Sequence, residues 1–464
     1  MKQVLLIDFG STYTKVTAVD VQEQKLLGTA ASYTTVHTDV GVGLENALKI
    51  LSEKIGNLEY DARYACSSAA GGLKMMACGF VPELTAEAAK QASLGAGAKI
   101  MKVYSYQLTE DDAEEIKELS PDIFLLTGGT DGGNKDIIIE NAKVLASIQA
   151  DFPVVIAGNR SAARTCERII AESGKQAIVC ENVMPKFNQL NIEPAQSKIR
   201  EVFLARIIKA KGLSGASKLI SGIMMPTPAA VLAAMELLSK GTASEAGIGD
   251  LVCVDVGGAT TDVYSMSLGE PDRLNTVIKG LPEPYAKRTV EGDIGMRYSA
   301  TGIADAVGLG TIAALAGLDY DKAEELLELI TSETDTLPET EDLAKLDFAL
   351  ASMAVKVGMT RHAGFVEKVY TPVGETFLQT GKNLMNVKKV VITGGSLIHA
   401  DRVKEIAEHA LYDLSEPMSM KPQDAEILVD KSYILSAMGL LSKYDADTAL
   451  KIMKKELLSY GTSK

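Results

Sequence analysis

Asp8-Phe9-Gly10-Ser11-Thr12-Tyr13-Thr14-Lys15 and Asp255-Val256-Gly257-Gly258-Ala259-Thr260-Thr261-Asp262 are two versions of one pattern. In each, an apolar run (residues 4–7 and 251–256) carries an aspartate at its end, a glycine turn rich in small and hydroxyl residues follows, and a second strand begins. Binding a triphosphate needs backbone donors that approach oxygen closely, hydroxyls, a cation, and carboxylates to hold the metal that neutralises the remaining charge. The first stretch supplies all of them in one turn. One such turn alone is equally well a tight hairpin that glycine permits and aspartate caps. Its repetition is what that simpler reading leaves unexplained. A third glycine turn, Thr393-Gly394-Gly395-Ser396, follows the apolar run 389–392 and precedes a helix, where backbone can approach a flat base or a ribose.

Outward from these turns, residues 4–7, 15–19 and 25–30 read as short strands, 42–55 as a helix and 62–67 as a further strand. From about 82 to 212, strand and helix patterns alternate, with β candidates at 103–107, 123–126, 154–157 and 177–180, so parallel pairing is expected. Thr109 ahead of Glu110, Asp111 and Asp112 reads as a helix cap with first-turn acids. An Ala- and Leu-rich helix at 226–240 leads into a small-residue loop at 241–249. The opening strand-turn-strand pattern then recurs, which predicts a duplicated fold. Helices are expected at 303–315, 322–331, 343–358 and 432–442, and a buried strand at 389–393. The expected division is a first lobe at 1–245, carrying an α/β insertion at about 82–212, and a second lobe at 246–464.

In this order the motifs resemble the phosphate-1, connect-1, phosphate-2, adenosine and connect-2 elements of the actin-like ATPase, sugar-kinase and heat-shock-chaperone superfamily. Asp8 to Lys15 resembles phosphate-1, Pro226-Thr227-Pro228-Ala229-Ala230 resembles connect-1, Asp255 to Asp262 phosphate-2, Thr393 to Ser396 the adenosine motif, and 432–442 connect-2. The resemblance implies an α/β fold of two actin-like, ribonuclease-H-like lobes around a nucleotide cleft, with ATP and Mg2+ as cofactors. It further implies that Asp8 and Asp255 hold magnesium through water, that Gly10, Ser11, Thr12 and Lys15 meet phosphates, and that Gly257 and Gly258 donate backbone hydrogens. Thr260 and Asp262 would position the attacking water. Gly394, Gly395 and Ser396 would contact the nucleoside, and Glu291, in Glu291-Gly292-Asp293-Ile294-Gly295-Met296, would line the ribose pocket.

Three stretches carry a closer resemblance: Cys66-Ser67-Ser68-Ala69-Ala70-Gly71-Gly72-Leu73, Leu126-Thr127-Gly128-Gly129-Thr130-Asp131-Gly132-Gly133-Asn134 and Val290-Glu291-Gly292-Asp293-Ile294-Gly295-Met296. They are similar to the MutL family of accessory proteins associated with adenosylcobalamin-dependent glutamate mutase and related aminomutases, distinct from the mismatch-repair protein of that name. This implies a chaperone-like, ATP-driven reactivation or maintenance of the mutase, with mutase subunits as partners. The turn 127–134 is a candidate ligand or partner contact, although its spacing is not GxGxxG and a plain strand-to-helix turn explains it as well. A small-molecule kinase on the same fold is the alternative, with Asp262 or Asp131 as the base. An iron-sulfur activator of radical dehydratases is disfavoured by scattered cysteines, and a filament former would be revealed by light scattering with ATP.

Composition removes other classes. The 464 residues are 46 % hydrophobic and 23 % charged, ordinary globular values for a chain of more than one domain. A net charge of −14 argues against nucleic acid and anionic membrane surfaces as partners. No apolar run reaches the length of a bilayer span, and the start reads into a strand rather than a signal peptide. The five cysteines, never spaced CxxC, point to a reducing cytoplasm. None of the four histidines occurs as HxH or HExxH, and no DxHxxG cobalamin motif is present. A homo-oligomer is left open.

Overall fold

The apolar run ahead of Asp8 forms β1 (Gln3–Phe9), whose alternate residues Leu5, Ile7 and Phe9 enter an apolar core, leaving Asp8 on the opposite face. The computed structural model describes residues 3–10, 12–34, 40–68, 73–210, 223–372 and 374–462. The chain forms two units, Met1–Val231 with Gly280–Pro282, and Leu232–Lys279 with Glu283–Lys464.

In the first unit β2 (Tyr13–Asp20) and β3 (Lys25–Tyr33) pair antiparallel in succession, and β4 (Ala62–Ser67) joins β1 in parallel after the helix Val40–Ile55. A second, wholly parallel sheet follows: β5 (Leu73–Gly79), β6 (Ala98–Ser105), β7 (Ile123–Leu126), β8 (Val154–Ile156) and β9 (Ala177–Val179), in the order β6-β5-β7-β8-β9. Its central strands are buried on both faces: Met75, Ala77 and Leu125 face the core shared with β1, while Met76, Cys78 and Leu126 face a separate one. β10 (Ile223–Pro226) then pairs parallel with β4, giving the order β10-β4-β1-β2-β3. The returning residue Leu281 is buried in the same core as β1.

The second unit repeats that first sheet. β11 (Leu251–Val256), β12 (Thr261–Met266) and β14 (Ala286–Glu291) pair antiparallel in succession, while β17 (Lys389–Thr393) and β18 (Glu426–Val429) extend from β11 in parallel. The order β14-β12-β11-β17-β18 matches β3-β2-β1-β4-β10 strand for strand and sense for sense. Val252, Val254 and Val256 fill a core with the helix Glu341–His362, as Leu5, Ile7 and Phe9 do in the first unit. This is the duplicated actin-like α/β fold. β19 (Leu458–Thr462) adds an edge to β18, and β13 (Thr276–Lys279), β15 (Phe365–Thr371) and β16 (Gly374–Thr380) make a separate three-stranded sheet.

The structure corrects several local expectations. β5 has no counterpart in the strand pattern because Leu-Lys-Met-Met-Ala-Cys-Gly lacks the β-branched and aromatic residues that mark strands; burial on both faces holds it in place. The single helix expected at 303–315 is two, Ala300–Val307 and Leu309–Ala316, because Gly308 takes φ +82°, outside helical space. The strand expected at 103–107 is displaced to Ala98–Ser105, ending before Tyr106, which takes φ +68°. The helix ahead of Leu119 starts as expected, Thr109 and Asp112 forming a reciprocal capping box.

Candidate phosphate-binding hairpins

In the first unit the Gly10 N–H donates to Tyr13 O at 3.1 Å, and a Cβ on Gly10 would lie 2.5 Å from that carbonyl, so only glycine closes this turn without a shift. Behind it Asp8 is registered opposite Lys15 on one side and Cys66 on the other. Lys15 Nζ lies 3.1 Å from Asp8 Oδ2, and Thr227 Oγ1 donates to Oδ1 at 2.6 Å. Asp8 is thus buried with a cation and a hydroxyl on it, and Thr227 arrives from the start of the helix Thr227–Lys240. Burial, and next the Asp8 charge, push the Cys66 thiol well up, which keeps a second anion from forming there. Thr12 is half-buried, its carbonyl accepting from Thr34 N–H at 2.7 Å. Ser11 lies outside the described residues, as do positions 69–72 of the glycine stretch after Cys66.

The second hairpin closes identically, the Gly257 N–H donating to Thr260 O at 2.9 Å. Here the register places Asp255 opposite Asp262. Arg288 of β14, 4 % exposed, answers the extra acid: its Nε donates to Asp262 Oδ1 at 2.8 Å and its Nη2 lies 2.6 Å from the same oxygen. Although burial works against it, the Asp262 charge raises the Arg288 pKa, so the guanidinium stays charged. Burial, then Asp255, Asp430 and Asp262, push the Cys253 thiol up, and burial, then Asp262, push up the Tyr264 phenol.

Residues 291–298 wrap the second turn. Met296 N–H donates to Gly257 O (3.0 Å), and Arg297 and Tyr298 N–H to Gly258 O (2.8 and 2.9 Å). The helix Glu341–His362 secures this segment: Asp347 takes both Nη atoms of Arg297 at 2.9 and 2.8 Å, and Arg361 holds Glu291 at 2.8 Å and Asp293 at 3.0 Å. Glu291 is therefore paired through its carboxylate at the end of β14. Gly394 (φ +101°) lies against the same hairpin, where a Cβ would fall 2.4 Å from Val256 O and 2.9 Å from Asp255 Oδ1. Gly395 faces open space and Ser396 is half-buried, both in the short helix that Gly394 caps. Asp430 accepts from Thr393 Oγ1 at 3.1 Å and from the N–H groups of Ile434 and Leu435, which seats the helix Leu435–Leu441 beside this turn.

Sequence reasoning thus placed the turns and missed the partners: Thr227 for Asp8, Arg288 for Asp262, Asp347 and Arg361 for the wrapping segment. Nothing in the turns themselves points to them: Thr227 lies 219 residues from Asp8, and Arg288 lies 26 from Asp262. His362 is a satisfied core residue, its ring between Ser265 Oγ and Thr289 Oγ1, both 2.8 Å away. Burial, then Lys287 and Lys382, pull its pKa well down and keep it neutral.

The glycine turn 127–134 is braced by the chain itself. Buried Asn159 accepts from the N–H groups of Gly132 and Ser161 and donates to the Gly133 and Asn134 carbonyls, while Asn182 donates to Gly129 O and Asp131 Oδ1. Thr127 Oγ1 donates to Cys78 O, at the end of the neighbouring strand. Among the described residues no cluster of three or more His, Cys, Asp or Glu is placed to cage a metal ion, and no helix is long and apolar enough to cross a membrane.

A family model described as MutL protein matches residues 4–457. "Protein MutL" of Clostridium tetanomorphum is 49 % identical over 460 residues, covering 99 % of this chain and 100 % of that protein. Among solved structures the chain is similar to the xylulose kinase of Bifidobacterium adolescentis, at 12 % identity and a TM-score of 0.32, covering 99 % of this chain and 96 % of that one. It is also similar to a glycerol dehydratase reactivase, at 10 % identity and a TM-score of 0.36, covering 95 % and 99 %. TM-scores this low carry no argument about what the chain does. The full-length family match and the near half identity over almost every residue are decisive: the chain belongs to the MutL family.

Proposed function

We propose that this protein binds and hydrolyses Mg-ATP and uses the cycle to reactivate or maintain an adenosylcobalamin-dependent glutamate mutase or a related aminomutase, whose subunits are its partners. The observation that carries the ATP reading is the pair of equivalent aspartate-glycine hairpins on the same two strands of a duplicated sheet. Membership of the MutL family supports the mutase as its client.

Mg2+ keeps most of its waters and needs only one or two carboxylates beside the nucleotide phosphates, so the donor set suits it without a protein cage. Asp8 and Asp255 would hold it through water, and it would neutralise phosphate charge. Lys15 and Thr12 would meet phosphate oxygens, as would the backbone of Gly10, Gly257 and Gly258; Ser11 belongs to the same set by sequence alone. Thr260 and Asp262 would position the attacking water, and Gly394, Gly395 and Ser396 would pack against the nucleoside, with Glu291 near the ribose. In phosphoryl transfer such positioning and electrostatics carry nearly all of the catalysis.

The test is recovery of turnover by a suicide-inactivated mutase given ATP, Mg2+ and fresh adenosylcobalamin, with and without this protein. ATP-dependent recovery only with the protein is expected. Thr260→Ala should bind the mutase and nucleotide but fail to reactivate, because it keeps the turn and loses the water contact. Equal recovery in both samples, or phosphorylation of a small metabolite by the chain alone, would replace this reading with the kinase alternative.

A further inference from the structure

We propose that the open edge of β13 holds the client protein by strand addition, taking up an extended apolar segment of the partner that carries acidic residues at its ends. The inference rests on the reading above that mutase subunits are the partners, and it names the surface and the chemistry which that reading leaves open. Three observations carry it.

The first is the edge. The small sheet runs β13-β16-β15, and its two outer strands differ. The chain itself covers β15: Val366 N–H donates to Met418 O at 2.9 Å, and Phe365 bridges to Ser419. Among the described residues no strand pairs with the outer side of β13. On the inner side the Asn275 carbonyl accepts from Phe377 N–H at 3.0 Å, and Thr276 is registered with Phe377. In a parallel ladder of this phase the backbone groups of Asn275 and Val277 point to β16, so those of Thr276 and Ile278 point outward. Such a row is a template for another strand.

The second is the apolar surface. Leu274 is 90 % exposed, Val277 54 % and Ile278 45 %, so three large apolar side chains lie open within five residues. Val277 stands beside Leu378 on one face of the sheet and Ile278 beside Gln379 on the other, so an added strand covers apolar surface on both faces. The third is charge. Exposed Arg273 and Lys279 bracket these residues, with Asp272 the one acid in 272–279, in a chain whose net charge is −14. The Arg273 guanidinium lies 5.3 Å from the centre of the Phe377 ring, which holds it against the sheet. A second copy would bring the same cations to the same short edge, where like charges oppose pairing. A segment ending in Asp or Glu meets them with opposite charge. The occupant is therefore a strand of the client and not another copy of this chain.

The experiment titrates the full chain with purified glutamate mutase subunits by calorimetry, with and without nucleotide, for wild type, Ile278→Pro, Ile278→Thr and Lys279→Glu, and measures the Mg-ATP affinity of each. Ile278→Pro removes an outward N–H and leaves the ladder to β16 intact. It should weaken subunit binding roughly tenfold or more, because a carbonyl of the added strand loses its donor. Ile278→Thr keeps the donor and the branched side chain and should stay within about threefold of wild type. Lys279→Glu should weaken binding roughly threefold or more and flatten its dependence on salt. Mg-ATP affinity should not change, since β13 belongs to a different sheet from the hairpins. Should Ile278→Pro not fold, Lys279→Glu, an exposed change, decides. Subunit binding as tight as wild type in folded Ile278→Pro and in Lys279→Glu overturns the proposal alone. An equal loss in Ile278→Thr and Ile278→Pro overturns strand addition, because the side chain and not the backbone would then hold the partner. Self-association of the wild type that Ile278→Pro abolishes, with subunit binding kept, overturns the choice of occupant. A wild-type chain that takes up no subunits with or without nucleotide overturns the client reading, and the proposal with it.

Discussion

Asp8 faces Lys15 across its hairpin, whereas Asp255 faces a second carboxylate, Asp262, at the equivalent register. The third strands differ in compensation: opposite the residue two places along the second strand, β3 presents Thr29, and β14 presents Arg288. The first set holds one acid and one base, and the second two acids and one base. Like charges directly opposite in a ladder are unfavourable, and the second hairpin draws a compensating cation from the neighbouring strand. Duplication preserved the backbone while the charge moved. The first hairpin sets one acid against one cation, and the second sets two acids against one.

The largest expected effect breaks the site itself. Asp255→Ala should lower ATP turnover by roughly 10²–10³-fold, and Asp8→Ala by roughly a hundredfold, because preorganised charge dominates phosphoryl transfer. Steady-state hydrolysis by folded variants checks both. Near wild-type rates in either would dissolve the functional half of the comparison. Next comes a transplant of the second hairpin's charges into the first. Lys15→Asp should destabilise the chain by about 2 kcal/mol, since it removes the cation from buried Asp8 and opposes it with an acid. Adding Thr29→Arg should restore part of that loss in urea unfolding; if it restores none, the third strand is not interchangeable as a source of the cation.

A smaller effect is expected at the contact between Gly394 and the second hairpin. Gly394→Ala should cost on the order of 1.5 kcal/mol, because φ is +101° and the new methyl would meet Val256 O. Differential scanning calorimetry reads it directly.

The last test is a pH dependence in a second cation that the same sheet holds. Buried Lys382 donates to the carbonyls of Ser265, Pro284 and Tyr285, and burial, then Lys287, pull its pKa down to about 7 from 10.5. Between those values the unfolded chain holds the proton and the folded chain has released it. This residue's contribution therefore makes stability rise with pH from about 7 toward 10.5. Lys382→Met should flatten that rise, which urea midpoints at pH 7 and 9 would compare. An unchanged slope would mean that the three carbonyls hold the ammonium charged throughout.

Much of this fold was legible in one dimension. The run-aspartate-glycine pattern appears twice because a buried strand followed by a sharp turn needs apolar residues and then glycine, both local demands. Gly10 and Gly257 carry out their turns where that pattern put them. β5 was illegible because its place in the parallel sheet depends on burial from two sides and not on propensity. The separate sheet of β13, β15 and β16 was illegible for a related reason, since it joins segments about a hundred residues apart in which charged and apolar residues mix without clean alternation.

By itself, then, the sequence determined a duplicated α/β chain, two aspartate-glycine hairpins and the third glycine turn, because strand, turn and cap preferences act between neighbours in the chain. Only the tertiary structure decided what each aspartate meets: Lys15 and Thr227 for Asp8, Arg288 for Asp262, and Gly394 packed beside Asp255. The physical reason is that the state of a buried charge is set by whichever group lies within a few ångströms, and strand register and helix docking bring those groups from far along the chain.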